Sequence, residues 1–240
     1  MMGPRTTIPR IDPYPMPAEA DLTANIAPWL PDPDRAVLLV HDMQRYFVER
    51  FPAGRSPVVE LVRNVTRLRR AAAASGVPVI YTAQPAATTR ERRGLLRDFW
   101  GTGMAAHPAR ERLAEIVDDI APGPDDVVVA KYRYSAFHGS ELASTVHSAG
   151  RDQLIVCGVY AHIGCLMTAC DAFSYDLETF LIADAVADFS AGHHRMALEY
   201  AAGRCAVVLS TDRTCACLTE VGPAAGGSPP IPTVPGSFTA

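Results

Sequence analysis

The stretch that most restricts the fold of this chain is residues 152–172, DQLIVCGVYAHIGCLMTACDA. Residues 153–158 form a short apolar run of the kind a strand buried on both faces shows, and residues 161–172 keep small and apolar side chains at helical spacing. A strand therefore stops abruptly and a helix starts. At such an elbow the helix start aims unpaired backbone N–H groups and the positive end of its dipole at whatever lies above the sheet edge. Gly158, Ala161 and Gly164 leave the backbone there open.

Similar strand ends recur along the chain. Residues 35–40, RAVLLV, read as a buried strand, and Asp42 follows in HDMQRYF. A carboxylate at the carboxyl end of a strand sits where open α/β sheets bind ligands, although aspartate also suits a helix cap or a turn. Residues 58–74 form an amphipathic helix with Arg63, Arg67, Arg69 and Arg70 on a solvated face. The glycosylation triplet at Asn64 falls inside that helix and is set aside. Residues 77–81 are the second strand, and YTAQP places Gln84 at its end, where a structural and a binding role are equally open. Residues 90–100 are helical or turn-like and bring arginines and Trp100 to that edge, Trp100 suiting a pocket wall or the core alike. Residues 108–120 read as another amphipathic helix and 127–130 as a strand, followed at once by Lys131. Lysine is rarely buried unless paired, and Asp42 at the same edge is its partner. Tyr134 and Phe137 can wall the cleft, and residues 140–149 form a helix. Residues 180–183 are a strand, after which ADAVADF, His193, His194 and Arg195 lead into a helix to about residue 202, and residues 205–209 make a sixth strand. Six strands alternating with helices imply an α/β fold, a doubly wound parallel sheet with right-handed crossovers and helices on both faces.

With 240 residues, 48% hydrophobic content and a net charge of −4, the chain suits one globular domain. We expect a proline-rich arm with a short helix over residues 1–30, a catalytic domain over 31–218 and a disordered tail over 219–240, where Gly, Pro and Ser dominate. The charge gives no basic footprint, so no nucleic-acid partner is expected. No run approaches a membrane span and no secretory signal is seen, which points to no membrane partner and a cytoplasmic location. The six cysteines lie in the second half, several inside apolar segments where a thiol fills space. Cys215 and Cys217 lack further ligands in sequence, so neither a metal nor another cofactor is expected.

GVYAHIGCLMTACDAF, together with LLVHDMQRYF, YTAQP and KYRYSAFHGSEL, closely resembles the isochorismatases of the isochorismatase-like (cysteine hydrolase) superfamily. The resemblance runs from about residue 14 to about residue 211, with the motifs in the family's order and spacing. It implies strand order 3-2-1-4-5-6, and so a switch point between the strands ending at Asp42 and Gly158. It implies Asp42 and Lys131 as the catalytic pair, and Gln84, Arg93, Trp100, Tyr134, Tyr160, Ala161 and Gly164 as substrate-binding residues, Arg93 reaching a carboxylate. It further implies a cis peptide between Val159 and Tyr160, a homodimer formed through residues 161–176 and their neighbours, and an arm wrapped on the body with Trp29 and Leu30 as anchors.

Amidase members of the superfamily read D-x-C-V-x-x-T-A-x-D-A at the elbow. That register puts Gly164 in the nucleophile's place and Cys165 one residue too late. His162 stands where those amidases carry an aspartate, and a role in holding the turn is expected for it; His193 and His194 are read as cap and packing residues. The resemblance thus points to hydrolysis of the enolpyruvyl vinyl ether of isochorismate or 2-amino-2-deoxyisochorismate, small anionic substrates, without a covalent intermediate. A cysteine amidase using Cys165 and a non-catalytic docking subunit are the alternatives. Burial would raise the pKa of Asp42 and Lys131 would lower it, and the sequence leaves that balance open.

Overall fold

The computed structural model describes residues 8–219. In chain order the elements are β1 (Ala36–His41), α1 (Arg45–Val48), α2 (Val58–Ala74), β2 (Val79–Ala83), α3 (Arg90–Arg93), α4 (Leu96–Trp100), α5 (Arg110–Ala114), β3 (Val127–Ala130), α6 (Leu142–Ser148), β4 (Gln153–Val159), α7 (Leu166–Ser174), β5 (Glu178–Ala187), α8 (Ala191–Arg204), β6 (Val207–Leu209) and α9 (Thr211–Thr219). The sheet is parallel throughout, in the order β3-β2-β1-β4-β5-β6. The direction in which successive strands are added across the sheet thus reverses between β1 and β4, where doubly wound folds bind ligands.

Alternation along the strands builds two cores. Ala36, Leu38 and Val40 of β1 face one apolar cluster with Leu61, Val65 and Leu68 of α2, whereas Val37 and Leu39 face the other with Ala169 of α7 and Ala197 and Ala201 of α8. All six β1 residues are buried, which is why this strand reads as a continuous apolar run until His41.

Several expectations are corrected. The helix expected over residues 108–120 is only α5. Beyond it the chain extends: Ile116 bridges Gln44, and Val117 donates to the Met43 carbonyl at 3.1 Å, so pairing with the segment after β1 overrides helical periodicity. The strand expected at 180–183 runs on to Ala187 through a register shift opposite Val156 and Gly158. The last helix, α9, is absent from the sequence reading; Asp184 holds its start by accepting both the Thr211 amide (2.7 Å) and hydroxyl (2.8 Å). It carries Cys215 and Cys217. Thr219 closes that helix, and the rest of the expected tail lies outside the described residues.

The arm lies on the body, but its buried anchors are Ile8, Ile11 and Tyr14. Trp29 packs partly against the core, while Leu30 is exposed. Asn64 is buried and donates to the Asp184 carbonyl at 2.7 Å. Arg69 departs from the solvated face expected of α2, stacking over the Tyr81 ring and pairing with Asp126. No disulfide joins the six cysteines, and among the described residues no helix is long and apolar enough to cross a membrane.

Candidate active site

The strand register brings the candidate residues to one edge. His41 is level with Thr82 of β2 and Gly158 of β4, and Ala83 with Ala130 of β3. The residues that follow these ends, Asp42, Gln84, Lys131 and Tyr160, line one cleft open to solvent at this edge.

Asp42 leaves β1 with φ of 49°, a left-handed conformation uncommon for a residue with a side chain and held only when its neighbours fix it. Thr82 does so at both ends of the residue: its hydroxyl accepts the Asp42 amide at 3.1 Å and donates to Oδ1 at 2.6 Å. Lys131 Nζ donates to Oδ2 at 2.8 Å, and the Gln84 amide reaches the same oxygen at 3.4 Å. Both partners of the ion pair are buried. Burial works to raise the Asp42 carboxyl, but the Lys131 ammonium, helped by His41 and Thr82, outweighs it and holds the pKa below its ordinary value. The balance left open by the sequence falls toward the carboxylate.

Gln84 is itself fixed by Gln44, a fully buried residue that the sequence reading passed over. Gln44 accepts the Gln84 amide at 2.8 Å and donates to the carbonyls of Gln84 (2.8 Å) and Ala114 (2.7 Å). Arg93 donates to Gln84 Oε1 at 3.3 Å and to the Gly101 carbonyl at 3.1 Å. Among the described residues its hydrogen-bond partners are neutral, and burial lowers its pKa. A half-buried guanidinium with neutral partners is suited to a carboxylate arriving from solution. Trp100 and Tyr134 stand together on the wall, the indole donating to the phenol oxygen at 2.8 Å.

At the elbow, residues Ala161–Cys165 form a π-helical turn before α7, a departure from the uninterrupted helix read above and one common at functional sites. The Val159–Tyr160 peptide is cis. Tyr160 lines the cleft with Gly164, but its hydroxyl donates to the Phe47 carbonyl at 2.9 Å, so its ring is a wall. The amide of His162 is taken by Asp188, and those of Ile163 and Cys165 by the Tyr160 carbonyl, so this helix start offers an anion fewer donors than the sequence suggested. Ala161 is not brought to the cleft; it is buried in the core between the sheet, α7 and α8. Cys165 is likewise fully buried there, its thiol pushed well above the ordinary range by burial. Tyr46, Phe47, Arg133, Phe189 and Ile8 also line the cleft and carry no signal beyond residue type.

His162, Asp188 and His193 are the group among the described residues whose donor atoms, within 4.8 Å of one another, are close enough for a cation. The Asp188 oxygens already accept the amide and the Nδ1 of His162, both at 2.6 Å, and the Phe189 amide at 2.7 Å, which fastens the elbow to the end of β5. The two rings stack at 13° and 4.4 Å between centroids, so their lone pairs run parallel and do not converge. His194 is a packing residue, its Nε2 donating to the Ala183 carbonyl at 2.9 Å.

An open parallel sheet whose switch point carries a buried carboxylate–ammonium pair beneath an anion-ready cleft defines an α/β enzyme of small molecules. The sequence matches the isochorismatase domain over residues 36–213, and the chain belongs to the isochorismatase family. It is similar to phenazine biosynthesis protein PhzD1 of Pseudomonas aeruginosa, 56% identical over 205 residues that cover 85% of this chain and 97% of that one. To the isochorismatase of Bacillus subtilis it is 53% identical, covering 85% of this chain and 65% of that protein. Enterobactin synthase component B of Escherichia coli is 43% identical over 85% of this chain and 71% of its own length. Among solved structures, a cysteine hydrolase from Pseudomonas syringae pv. phaseolicola superposes with a TM-score of 0.71 at 25% identity, covering 82% of this chain and 97% of that one.

Proposed function

We propose that the protein hydrolyses the enolpyruvyl vinyl ether of isochorismate or 2-amino-2-deoxyisochorismate, with Asp42 as the acid. The observation that carries this reading is the buried Asp42–Lys131 pair, 2.8 Å apart at the floor of the cleft, with Cys165 buried in the core and not among the residues that line the cleft. Protonated Asp42 gives its proton to the terminal methylene carbon of the enolpyruvyl group. The oxocarbenium ion so formed is captured by water, whose proton returns to the Asp42 carboxylate, and the hemiketal collapses to pyruvate and the ring alcohol. One water is consumed and the acid is regenerated.

Lys131 holds Asp42 as the carboxylate, so the substrate supplies the bias toward protonation. Its carboxylates add negative charge beside Asp42 and its body displaces water, and both favour the neutral acid. Arg93 takes one carboxylate, Gln84 fixes the lone pairs of Asp42, and Trp100, Tyr134 and Tyr160 enclose the ring. Names of relatives in phenazine and enterobactin synthesis support the substrate class. Incubation with each substrate, with pyruvate read by coupled reduction, tests the reading; release of pyruvate from neither would end it.

The active form is a homodimer in a reducing, cytoplasmic compartment. Phe173 and Tyr175, exposed at 46% and 56% at the end of α7, support the self-association. Six cysteines with no disulfide support the compartment.

A further inference from the structure

Two glycines bracket His41. A Cβ added at Gly158 would lie 2.1 Å from the His41 carbonyl oxygen, and one added at Gly164 would lie 2.2 Å from Cε1 of its ring. The first is backbone against backbone at a paired position; the second is a side chain planted against the elbow. The imidazole is fully buried. Nδ1 lies 2.9 Å from the Val159 carbonyl, so the neutral ring carries its proton there. The Tyr134 backbone favours the protonated form of the ring, but Nε2 makes no hydrogen bond. Asp42 Oδ1 is 3.9 Å from Nδ1, and Lys131 is the other charge facing the ring; burial holds the imidazole pKa down to about 4. A polar ring with one unmet nitrogen is an expensive occupant for the end of a strand that otherwise reads AVLLV.

We propose that His41 is a positioning residue interlocked with Gly164. The ring stands in the space that any side chain at position 164 would fill. Through the Val159 carbonyl it ties the end of β1 to the elbow, and so holds the next residue, Asp42, in the left-handed conformation that aims its carboxyl into the cleft. The pair also sets the class of chemistry: while the imidazole is in place no residue with a Cβ fits at 164, and the nucleophile's position is closed. The catalytic half of this inference rests on the vinyl ether reading; the interlock is a property of the fold.

The test is a cycle of Gly164→Ala, His41→Val and the double variant, made in the full chain and read by thermal unfolding. Gly164→Ala alone is expected to lower Tm by about 5 °C or more, or to block soluble folding. The same alanine added to His41→Val should cost far less, because the ring it strikes is gone. Additive shifts, or a double variant no better folded than Gly164→Ala, overturn the interlock. The positioning half is read in pyruvate kinetics. His41→Asn keeps an N–H at the Nδ1 position and should hold kcat within about tenfold of wild type, whereas His41→Val loses about 100-fold in kcat with KM little changed. Equal kcat losses for Asn and Val, or a loss carried in KM, overturn it. Unfolding is read without substrate, so a wild type that releases no pyruvate sinks the functional reading while the interlock is still decided.

Discussion

Replacing Lys131 with methionine nearly keeps the length of the side chain and removes the ammonium, both its charge and its hydrogen bond to Asp42, which isolates what the ion pair does for Asp42. The two side chains are 3% and 5% exposed, so water screens the loss little. Breaking a buried pair by removing one partner costs about 3–5 kcal/mol because the other charge is left uncompensated. Asp42 keeps the Thr82 hydroxyl and the Gln84 amide, which places the expected cost near the lower end, about 3 kcal/mol, or about 6–12 °C in Tm for a chain of this size. The pH dependence carries the sign. In the wild type the Asp42 pKa is lowered, so its contribution is present above the unfolded value of about 3.9 and is lost only as pH falls through the lower folded value. In Lys131→Met the desolvation that already opposes ionisation prevails, and the folded pKa rises above the unfolded one. The cost is then full above that raised pKa and fades as the carboxyl protonates on acidification. Unfolding followed from about pH 8 to about pH 4.5 should show the gap between wild type and variant closing, with Asp42→Asn/Lys131→Met recovering most of the loss at neutral pH. A gap as wide at about pH 5 as at about pH 8 would refute the claim that Lys131 keeps Asp42 ionised.

Asp42→Asn keeps the shape and removes the proton, so pyruvate release should fall by about 10²–10⁴ with substrate binding retained, measured by steady-state kinetics and calorimetry; activity within about tenfold of wild type contradicts the acid. Arg93→Met should raise KM more than it lowers kcat, since a carboxylate clamp acts on ground and transition states alike, and a pure kcat loss in the same assay argues against it. Cys165→Ala should keep activity within a fewfold, and alkylating reagents should act only as slowly as the core opens; a mass adduct on Cys165 from a stalled reaction would restore the amidase. Light scattering at micromolar concentration should give the mass of a dimer, and Phe173→Glu/Tyr175→Glu should shift it toward monomer.

Asp42, Gln84 and Lys131 were legible because each follows a run of apolar residues, and the end of a buried strand is a place as well as a pattern. The strand end before Ala161 was equally legible, but the π turn that follows it, which leaves Ala161 in the core beside α7 and α8, has no such signal. Residues 108–120 carry helical periodicity that pairing with Gln44 and Met43 overrides, a contact between distant segments that no local pattern records. The start of α9 was readable: Ser210 accepts the Arg213 amide at 3.3 Å, and an aspartate stands in the first turn. His41 and Gln44 also left a trace, as polar residues at positions where the pattern allows only apolar ones. Arg133 left none, because arginines near an edge look alike until the chain is folded.

The arm places residue 8 in the wall of the cleft and Tyr14 between His194 and the Asp188 amide, its hydroxyl 3.2 Å from one and 2.7 Å from the other. During synthesis Tyr14 leaves the ribosome long before Asp188 and His194, the residues that meet its hydroxyl. At about 5–20 residues per second, Tyr14 spends on the order of ten seconds without these two partners. The arm can settle early on Arg50 and Ser56, whose carbonyl and hydroxyl accept the Ile11 and Met16 amides at 3.0 and 3.1 Å, whereas Tyr14 gains its two partners only after β5 and α8 have been made.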